Sequence, residues 1–418
     1  MFDSHAFILH PSAFILCYHP WRMSSETSES FRLMVVAGEE SGDAHAASLV
    51  RQLRERAPRA GFELFGSTGK AMREAGVESV VREDDLAITG LVEIARALPR
   101  FLSAYRSLKR AALTHRPDAV VLVDWPDFNL ALARALHRRG LRVIYYISPQ
   151  LWAWRSHRVR QVRRDIDLML TILPFEREWY ASRGVSHVEF VGHPFAGAVA
   201  PRLTREEFRA RHHLDASSPV VALLPGSRRK EFERILPLML DAAAAVSDRL
   251  PSAQFIVALA SRRTNEEAER FIASHPARER LAPRIRVVRE EAREALAASD
   301  ASAVCSGTAT LEAAVLGTPL VVVYKESALN WHTLGRLISV EHYGLVNLVA
   351  GERVAPELMQ DDFTGASLAR ELLALLDPER NARTRGQLRD ATARLGEGGA
   401  SERAADAVLR ALRGWRKE

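Results

Sequence analysis

Cysteine is nearly missing from this 418-residue chain, with only Cys17 and Cys305 present. One lies in an atypical N-terminal segment and the other at an expected strand end. A disulfide framework and a thiolate metal site are therefore excluded, and a reducing compartment fits. Long apolar runs are missing too: no stretch approaches the ~18 residues of a membrane-crossing helix. The first glycine-bearing strand-to-helix loop lacks both the Gly-Lys-Ser/Thr of a Walker loop and the GxGxxG pattern, which weakens ATP and dinucleotide readings. No His, Cys or carboxylate cluster has metal-ligand spacing, so neither a metal nor another cofactor is expected. Acidic residues fall slightly short of basic ones, 52 against 58, leaving a net charge of +6 and a pI near 9.6. That excess suits anionic substrates or an anionic membrane surface, although most of these charges belong on solvated helix faces.

Apolar residues are plentiful at 47%. Single cores seldom grow beyond ~250–300 residues, so the length predicts two domains. Residues 1–30 differ from the rest. Ala6 to Leu9 is echoed by Ala13 to Leu16, but His10 and Pro11 interrupt the apolar stretch and no Lys or Arg precedes Arg22. A signal peptide would begin with positive charge. A disordered extension, or a start codon assigned upstream of Met23, is the expected explanation. Domain one is placed at 31–200, domain two at 201–390, and a helix at 391–418 is expected to pack toward domain one.

From Leu33 onward, strand and helix signals alternate, which predicts an α/β fold with parallel sheets and right-handed crossovers. In such sheets ligands bind beyond the carboxyl ends of strands, so the loops there carry the functional candidates. Leu33 to Ala37 runs into Gly38-Glu39-Glu40-Ser41-Gly42-Asp43. Ala119 to Val123 runs into Asp124-Trp125-Pro126-Asp127. Asp127 is placed to cap the helix that follows, whereas Asp124 stands too early for that and reads as a site residue. Val143 to Ile147 enters Ser148 to Arg155, where two tryptophans and an arginine imply a pocket wall or domain corner. His193, after Gly192 and before Pro194, reads as a structural turn or a cleft residue near the domain boundary. Between the first loops lies Gly90 to Leu102. Its default reading is a core-packed helix, and Pro99 argues against one uninterrupted amphipathic helix.

The second domain repeats the pattern. Val220 to Leu224 ends in Pro225-Gly226-Ser227-Arg228-Arg229, a diphosphate clamp in which guanidinium groups meet phosphate. Ala301 to Cys305 turns through Ser306-Gly307-Thr308 into a helix expected from about Thr310. Exposed N–H groups and the helix dipole favour an anion there. Glu312 would then sit on the first turn, able to accept hydrogen bonds from ribose hydroxyls. Tyr343 to Gly351 reads as a short apolar loop whose Asn347 reaches a base or ribose. Residues 366–415 read as charged helices suited to bracing the two domains.

Two doubly wound Rossmann-like domains with nucleotide-type turns in the second describe a GT-B architecture. The ordered set Gly38 to Asp43, Val123 to Asn129, Ser148 to Arg155, Leu224 to Arg228, Ser306 to Thr308 with Glu312, and Asn347 resembles the lipid-A-disaccharide synthase family over about residues 31–410. The resemblance implies an acceptor domain followed by a UDP-sugar donor domain. It further implies transfer from UDP-2,3-diacylglucosamine to 2,3-diacylglucosamine 1-phosphate with inversion, releasing UDP. Asp124 then takes the place of the base, and Arg228, Ser306, Gly307, Thr308, Glu312 and Asn347 take the UDP-binding positions, with Gly226 and Ser227 beside them. Glu39 and Ser41 face the cleft, with Asp43, Asp127 and His193 as further acceptor-side candidates. Both substrates are acylated, so a peripheral place on the cytoplasmic face of the inner membrane of a Gram-negative-type bacterium is implied. Val92, Ile94, Leu98, Phe101 and Leu102 would form the membrane patch, with Arg96 and Arg100 facing head groups. Nucleic acid is not an expected partner, and a homodimer is a possible assembly. A UDP-sugar epimerase and a peptidoglycan-type glucosaminyltransferase share the architecture and stay open at this point. So does a non-enzymatic basic binding protein.

Overall fold

The computed structural model describes residues 29–82, 91–261, 263–327, 331 and 341–417, with the backbone alone over 91–97. The N-terminal segment before residue 29 lies outside these residues. Among them, two wholly parallel sheets form. The first contains β1 (Ser30–Val36), β2 (Gly61–Thr68), β3 (Glu78–Arg82), β4 (Ala119–Val123), β5 (Val143–Tyr146), β6 (Leu168–Thr171) and β7 (Val188–Phe190), in the order β3-β2-β1-β4-β5-β6-β7. The second contains β8 (Val220–Leu224), β9 (Gln254–Leu259), β10 (Ile285–Arg289), β11 (Ala301–Cys305), β12 (Leu320–Tyr324) and β13 (Glu357–Met359), ordered β10-β9-β8-β11-β12-β13. Central strands such as β4, β8 and β11 are buried at every position. This is why they read as continuous apolar runs: helices cover both faces of a parallel sheet.

Each sheet reverses its winding once, between β1 and β4 in the first and between β8 and β11 in the second. The register pairs Val36 with Leu122 and Leu224 with Val304. The loops that leave β1 and β4 therefore emerge side by side, as do those that leave β8 and β11. These reversals create the crevices in which open α/β sheets hold ligands.

The chain finishes by returning to the first domain. Helix Pro378–Ala393 contributes Leu388 and Ala391 to the core of the second domain. Helix Ala400–Trp415 instead lies against helix Glu40–Arg56, burying Ala404, Val408, Leu409 and Leu412. Fully burying a Val or Leu side chain stabilises by about 1.5–3 kcal/mol, so this return is a substantial strap. A smaller cluster joins the domains directly: Leu173, Ala196, Leu311, Val349 and Leu395 are buried together, with Trp152 and Phe175 packed against them.

Helix Leu91–His115 runs unbroken through Pro99, contrary to the interruption read from the sequence. Proline forfeits one N–H and costs ~3 kcal/mol within a helix. Burial of Ala104, Leu108 and Ala112 against the sheet outweighs it. The exposed side of this helix carries Leu98 and Leu102, 56% and 44% accessible. Phe101 does not join them, because its ring meets Trp125 at 6.0 Å. Val92 and Ile94 lie outside the described side chains.

Candidate active site

The β1/β4 crevice is built on a close approach. A Cβ on Gly38 would fall 2.0 Å from the Trp125 indole, so only glycine lets this ring lie over the loop after β1. Trp125 stacks on Phe128 at 3.9 Å and 9°. Asp124 and Trp125 are both left-handed, with φ of 49° and 50°. Two successive non-glycine residues in that region cost of order 1–3 kcal/mol each, and such strain concentrates at functional sites. Here the turn is clamped from beneath. Tyr145 Oη donates to the Asp124 carbonyl at 2.6 Å, and Asn129 Nδ2 donates to the same oxygen at 2.7 Å. With its main chain so held, the half-buried Asp124 carboxyl is raised to about 6, first by desolvation and then by the Glu39 carboxylate. A carboxyl poised near neutral pH and fixed at a crevice suits a general base.

Other acidic candidates of this domain fall elsewhere. Asp43 is buried and caps helix Lys70–Glu74, accepting from the N–H groups of Gly69 at 2.6 Å and Ala71 at 2.7 Å. It is thus a fold residue rather than a cleft residue, while Glu39 and Ser41 are exposed at the start of helix Glu40–Arg56. Asp127 does not cap its helix, whose first residue is Pro126 and whose N-cap is Trp125. Its Oδ1 instead accepts from Arg155 and Arg158. His193 is buried, with Nδ1 accepting from Phe195 N at 3.1 Å. Burial and the neighbouring His45 push it down to about 4, so it is a neutral turn residue.

The β8/β11 crevice carries the cationic half. Gly226 has φ +100° and an added Cβ would press on Glu231 and Cys305. Arg228 caps helix Arg229–Arg249 and is held by Glu231 at 3.0 Å, while its side chain stays 82% exposed. Partial desolvation opposes its charge, but Glu231, Tyr324 and Glu39 together hold the guanidinium above its usual value. Glu39 therefore acts on both Asp124 of its own domain and Arg228 of the other. Ser227 is exposed beside them. Gly307 has φ +151° and open space where a Cβ would stand, so its backbone is accessible to a ligand. The helix after it begins at Thr308, two residues earlier than the sequence suggests. Glu312 consequently sits beyond the first turn, paired with Arg293 at 3.0 Å. The Ser306 hydroxyl donates to Tyr343 O at 3.0 Å.

Asn347 lies on helix Leu345–Ala350 rather than in a loop and is fully buried. Its amide donates to Ala355 O and Glu357 and accepts from Ala355 N. Glu357 in turn accepts from Tyr343 N and Gly344 N. Asn347 therefore acts through the Tyr343 segment that holds Ser306, and its own side chain is spent on the fold.

One network escaped the sequence reading. Glu176 is buried and accepts from Ser148 Oγ at 2.6 Å, Trp152 Nε1 at 3.1 Å and Leu173 N at 3.0 Å. It ties the loop after β5 to the interdomain cluster. Burial raises its carboxyl to about 7 against these donors. A cavity of about 580 Å³ is lined by His45, Pro194, Phe195, Arg293 and Glu397 to Glu402. Neither Asp124 nor Arg228 lines it. Among the described residues no group of three His, Cys, Asp or Glu is placed to hold a metal ion, and no helix is long and apolar enough to cross a membrane.

Known proteins share this fold and sequence. Solved structures share the fold: UDP-GlcNAc 2-epimerase from Neisseria meningitidis bound to UDP-GlcNAc aligns with a TM-score of 0.61 at 12% identity, covering 91% of this chain and 100% of that one. The calicheamicin glycosyltransferase CalG4 aligns at 0.55 and 18% identity, covering 92% and 98%. By sequence, the lipid-A-disaccharide synthase of Geobacter metallireducens is 44% identical over 387 residues, 92% of this chain and 98% of the relative. A family model described as Lipid-A-disaccharide synthetase matches residues 33–411. With the GT-B fold in place and the match spanning both crevices, the chain belongs to the lipid-A-disaccharide synthase family.

Proposed function

We propose that the protein is an inverting hexosyltransferase that joins UDP-2,3-diacylglucosamine to 2,3-diacylglucosamine 1-phosphate, forming the β-1,6-linked disaccharide 1-phosphate and UDP. The observation that carries this reading is the opposition of two crevices. Asp124, raised to about 6, stands in one, and exposed Arg228 with the open Gly307 backbone stands in the other. Asp124 takes the proton of the acceptor 6-hydroxyl as its oxygen bonds to the donor's anomeric carbon. The bond from that carbon to the diphosphate breaks, and its electron pair leaves with UDP. Arg228 and the N–H groups at the start of helix Thr308–Val315 stabilise the departing charge. The guanidinium does the work a metal does in other phosphate sites, so turnover should persist in a chelator.

The enzyme meets its acylated substrates at the cytoplasmic face of the inner membrane. Exposed Leu98 and Leu102, with Arg100 between them, support this reading. One chain supplies both halves of the site, so a homodimer is not needed for chemistry. The deciding experiment is mass spectrometry of products from UDP-diacylglucosamine with and without the lipid monosaccharide phosphate. Disaccharide phosphate should form only with both. Donor consumption without acceptor would favour an epimerase and overturn the proposal.

A further inference from the structure

The mechanism leaves one charged cluster unused. Asp127, at the start of helix Pro126–His137, offers a single carboxylate oxygen to two guanidinium groups, Arg155 Nη1 at 2.7 Å and Arg158 Nη1 at 2.5 Å. The cluster therefore keeps one net positive charge. Among the described residues neither guanidinium makes a hydrogen bond beyond the one to Asp127, so each retains free N–H donors. Arg155 to Arg164 contains five arginines and no acidic residue. Arg164 turns to Asp165, away from this pair.

Arg155 is held in an unusual way. It is left-handed, with φ 57°, and its guanidinium lies 4.2 Å over the half-exposed Trp154 ring. Exposed ion pairs are worth too little to keep a non-glycine residue in that conformation. A small recess bounded by Pro149, Gln150, Trp154, Arg155 and Arg158 opens beside Asp127. The cluster is also close to the base. Asp124, Asp127 and Arg158 all act electrostatically on the buried Tyr145 hydroxyl, which itself donates to the Asp124 carbonyl.

Apolar groups gather at the same turn. Trp125 and Phe128 stack, Phe101 meets Trp125, and exposed Leu98 and Leu102 follow on the same helix. The turn that carries Asp124 thus has both an apolar and a cationic group beside it. An acceptor that bears both acyl chains and a phosphate matches that pairing.

We infer that Arg155 and Arg158 form an anion subsite that takes the phosphate monoester of the acceptor, fixing which way that amphiphile lies across Asp124. The inference rests on the proposed function and names the part of the acceptor that these residues read. A phosphate monoester carries about −1.5 to −2 charges near neutral pH, and a paired guanidinium fork suits its oxygens. The phosphate also directs the 6-hydroxyl, at the far side of the sugar, toward the base. Anionic membrane lipids present the same chemistry, and the test separates the two sources.

The experiment compares wild type with Arg155→Gln/Arg158→Gln, using the lipid monosaccharide phosphate and its dephosphorylated form in neutral detergent micelles. Wild type should prefer the phosphorylated acceptor, and the double variant should raise its KM by about 10–100-fold, the scale of charge-assisted hydrogen bonds. The preference ratio between the two acceptors should collapse toward one. Equal losses on both acceptors, or an unchanged ratio, would overturn the subsite. Binding of the two lipids, read by tryptophan fluorescence without donor, gives the same ratio with no turnover. A wild type that discriminates in binding but makes no disaccharide would sink the proposed reaction and keep the subsite. Vesicles of phosphatidylcholine with and without phosphatidylglycerol supply the last arm. Should the double variant lose only binding to anionic vesicles while keeping its acceptor ratio, the arginines serve the membrane surface and the inference is wrong.

Discussion

Glu39→Gln should move the acidic limb of the pH profile without abolishing activity. In the proposed mechanism Asp124 works only when ionised, so kcat/KM for the acceptor should rise as pH rises through about 6 and level off above it. Desolvation is the larger cause of that raised value and Glu39 the second, so the glutamine variant keeps one and loses the other. The limb should therefore move down, but not as far as an ordinary aspartate near ~3.9. A shift of about one unit corresponds to ~1.4 kcal/mol, which two charges at an effective dielectric of ~20 supply at a separation of ~12 Å. At pH 5 the ionised fraction would then rise from about 9% to about 50%, a ~5-fold gain relative to the variant's own plateau. Glu39 also acts on Arg228. Saturating donor removes any change in donor affinity from the profile, so the two effects separate. The assay is kcat/KM against pH at saturating donor. A limb that stays put, or moves up, would refute the electrostatic coupling of Glu39 to the base.

The other expectations are briefer. Asp124→Asn should lower kcat by about 10²–10⁴-fold, the range for loss of a general base. UDP binding by calorimetry should change little, and near-normal turnover would remove Asp124 from the mechanism. Arg228→Lys should weaken UDP binding and slow transfer, because an ammonium cannot reproduce a guanidinium fork. Unaltered binding and turnover would make Arg228 only a surface charge. Leu98→Ser/Leu102→Ser should give a folded protein that binds liposomes less, since both side chains are exposed. Unchanged liposome binding would remove them from the membrane patch. Glu176 has a folded value of about 7 against 4.5 unperturbed. Stability from its protonated form is present below the lower value and lost as pH rises through the higher one. Glu176→Gln should therefore flatten the fall in Tm between pH 5 and 7, and an equal fall in both proteins would contradict the buried protonated carboxyl.

What the sequence made legible follows from which interactions are local. A strand covered on both faces must be apolar throughout, so β1, β4, β8 and β11 announce themselves, and the polar loops after them stand out by contrast. Edge strands do not: β3, Glu-Ser-Val-Val-Arg, pairs on one side only and carries charges at both ends. Polar residues in the segments between strands are harder still. Asp43, Asp127 and Asn347 look like ligand-binding residues because the same chemistry that meets a substrate also caps a helix or pairs with an arginine. The partners that decide between these roles are distant. Asp43 meets Gly69, 26 positions on, and Asp127 meets Arg158, 31 positions on. Glu176 has no local mark at all, since its donors come from two loops that only the β5/β6 pairing brings together. Gly38 makes the same point for the catalytic crevice. A single glycine after a strand is ordinary, and its necessity appears only when β1 lies beside β4 and places the Trp125 ring where a Cβ would be. The candidate residues stand in order along the chain, but the strain at Asp124 is held by contacts between strands.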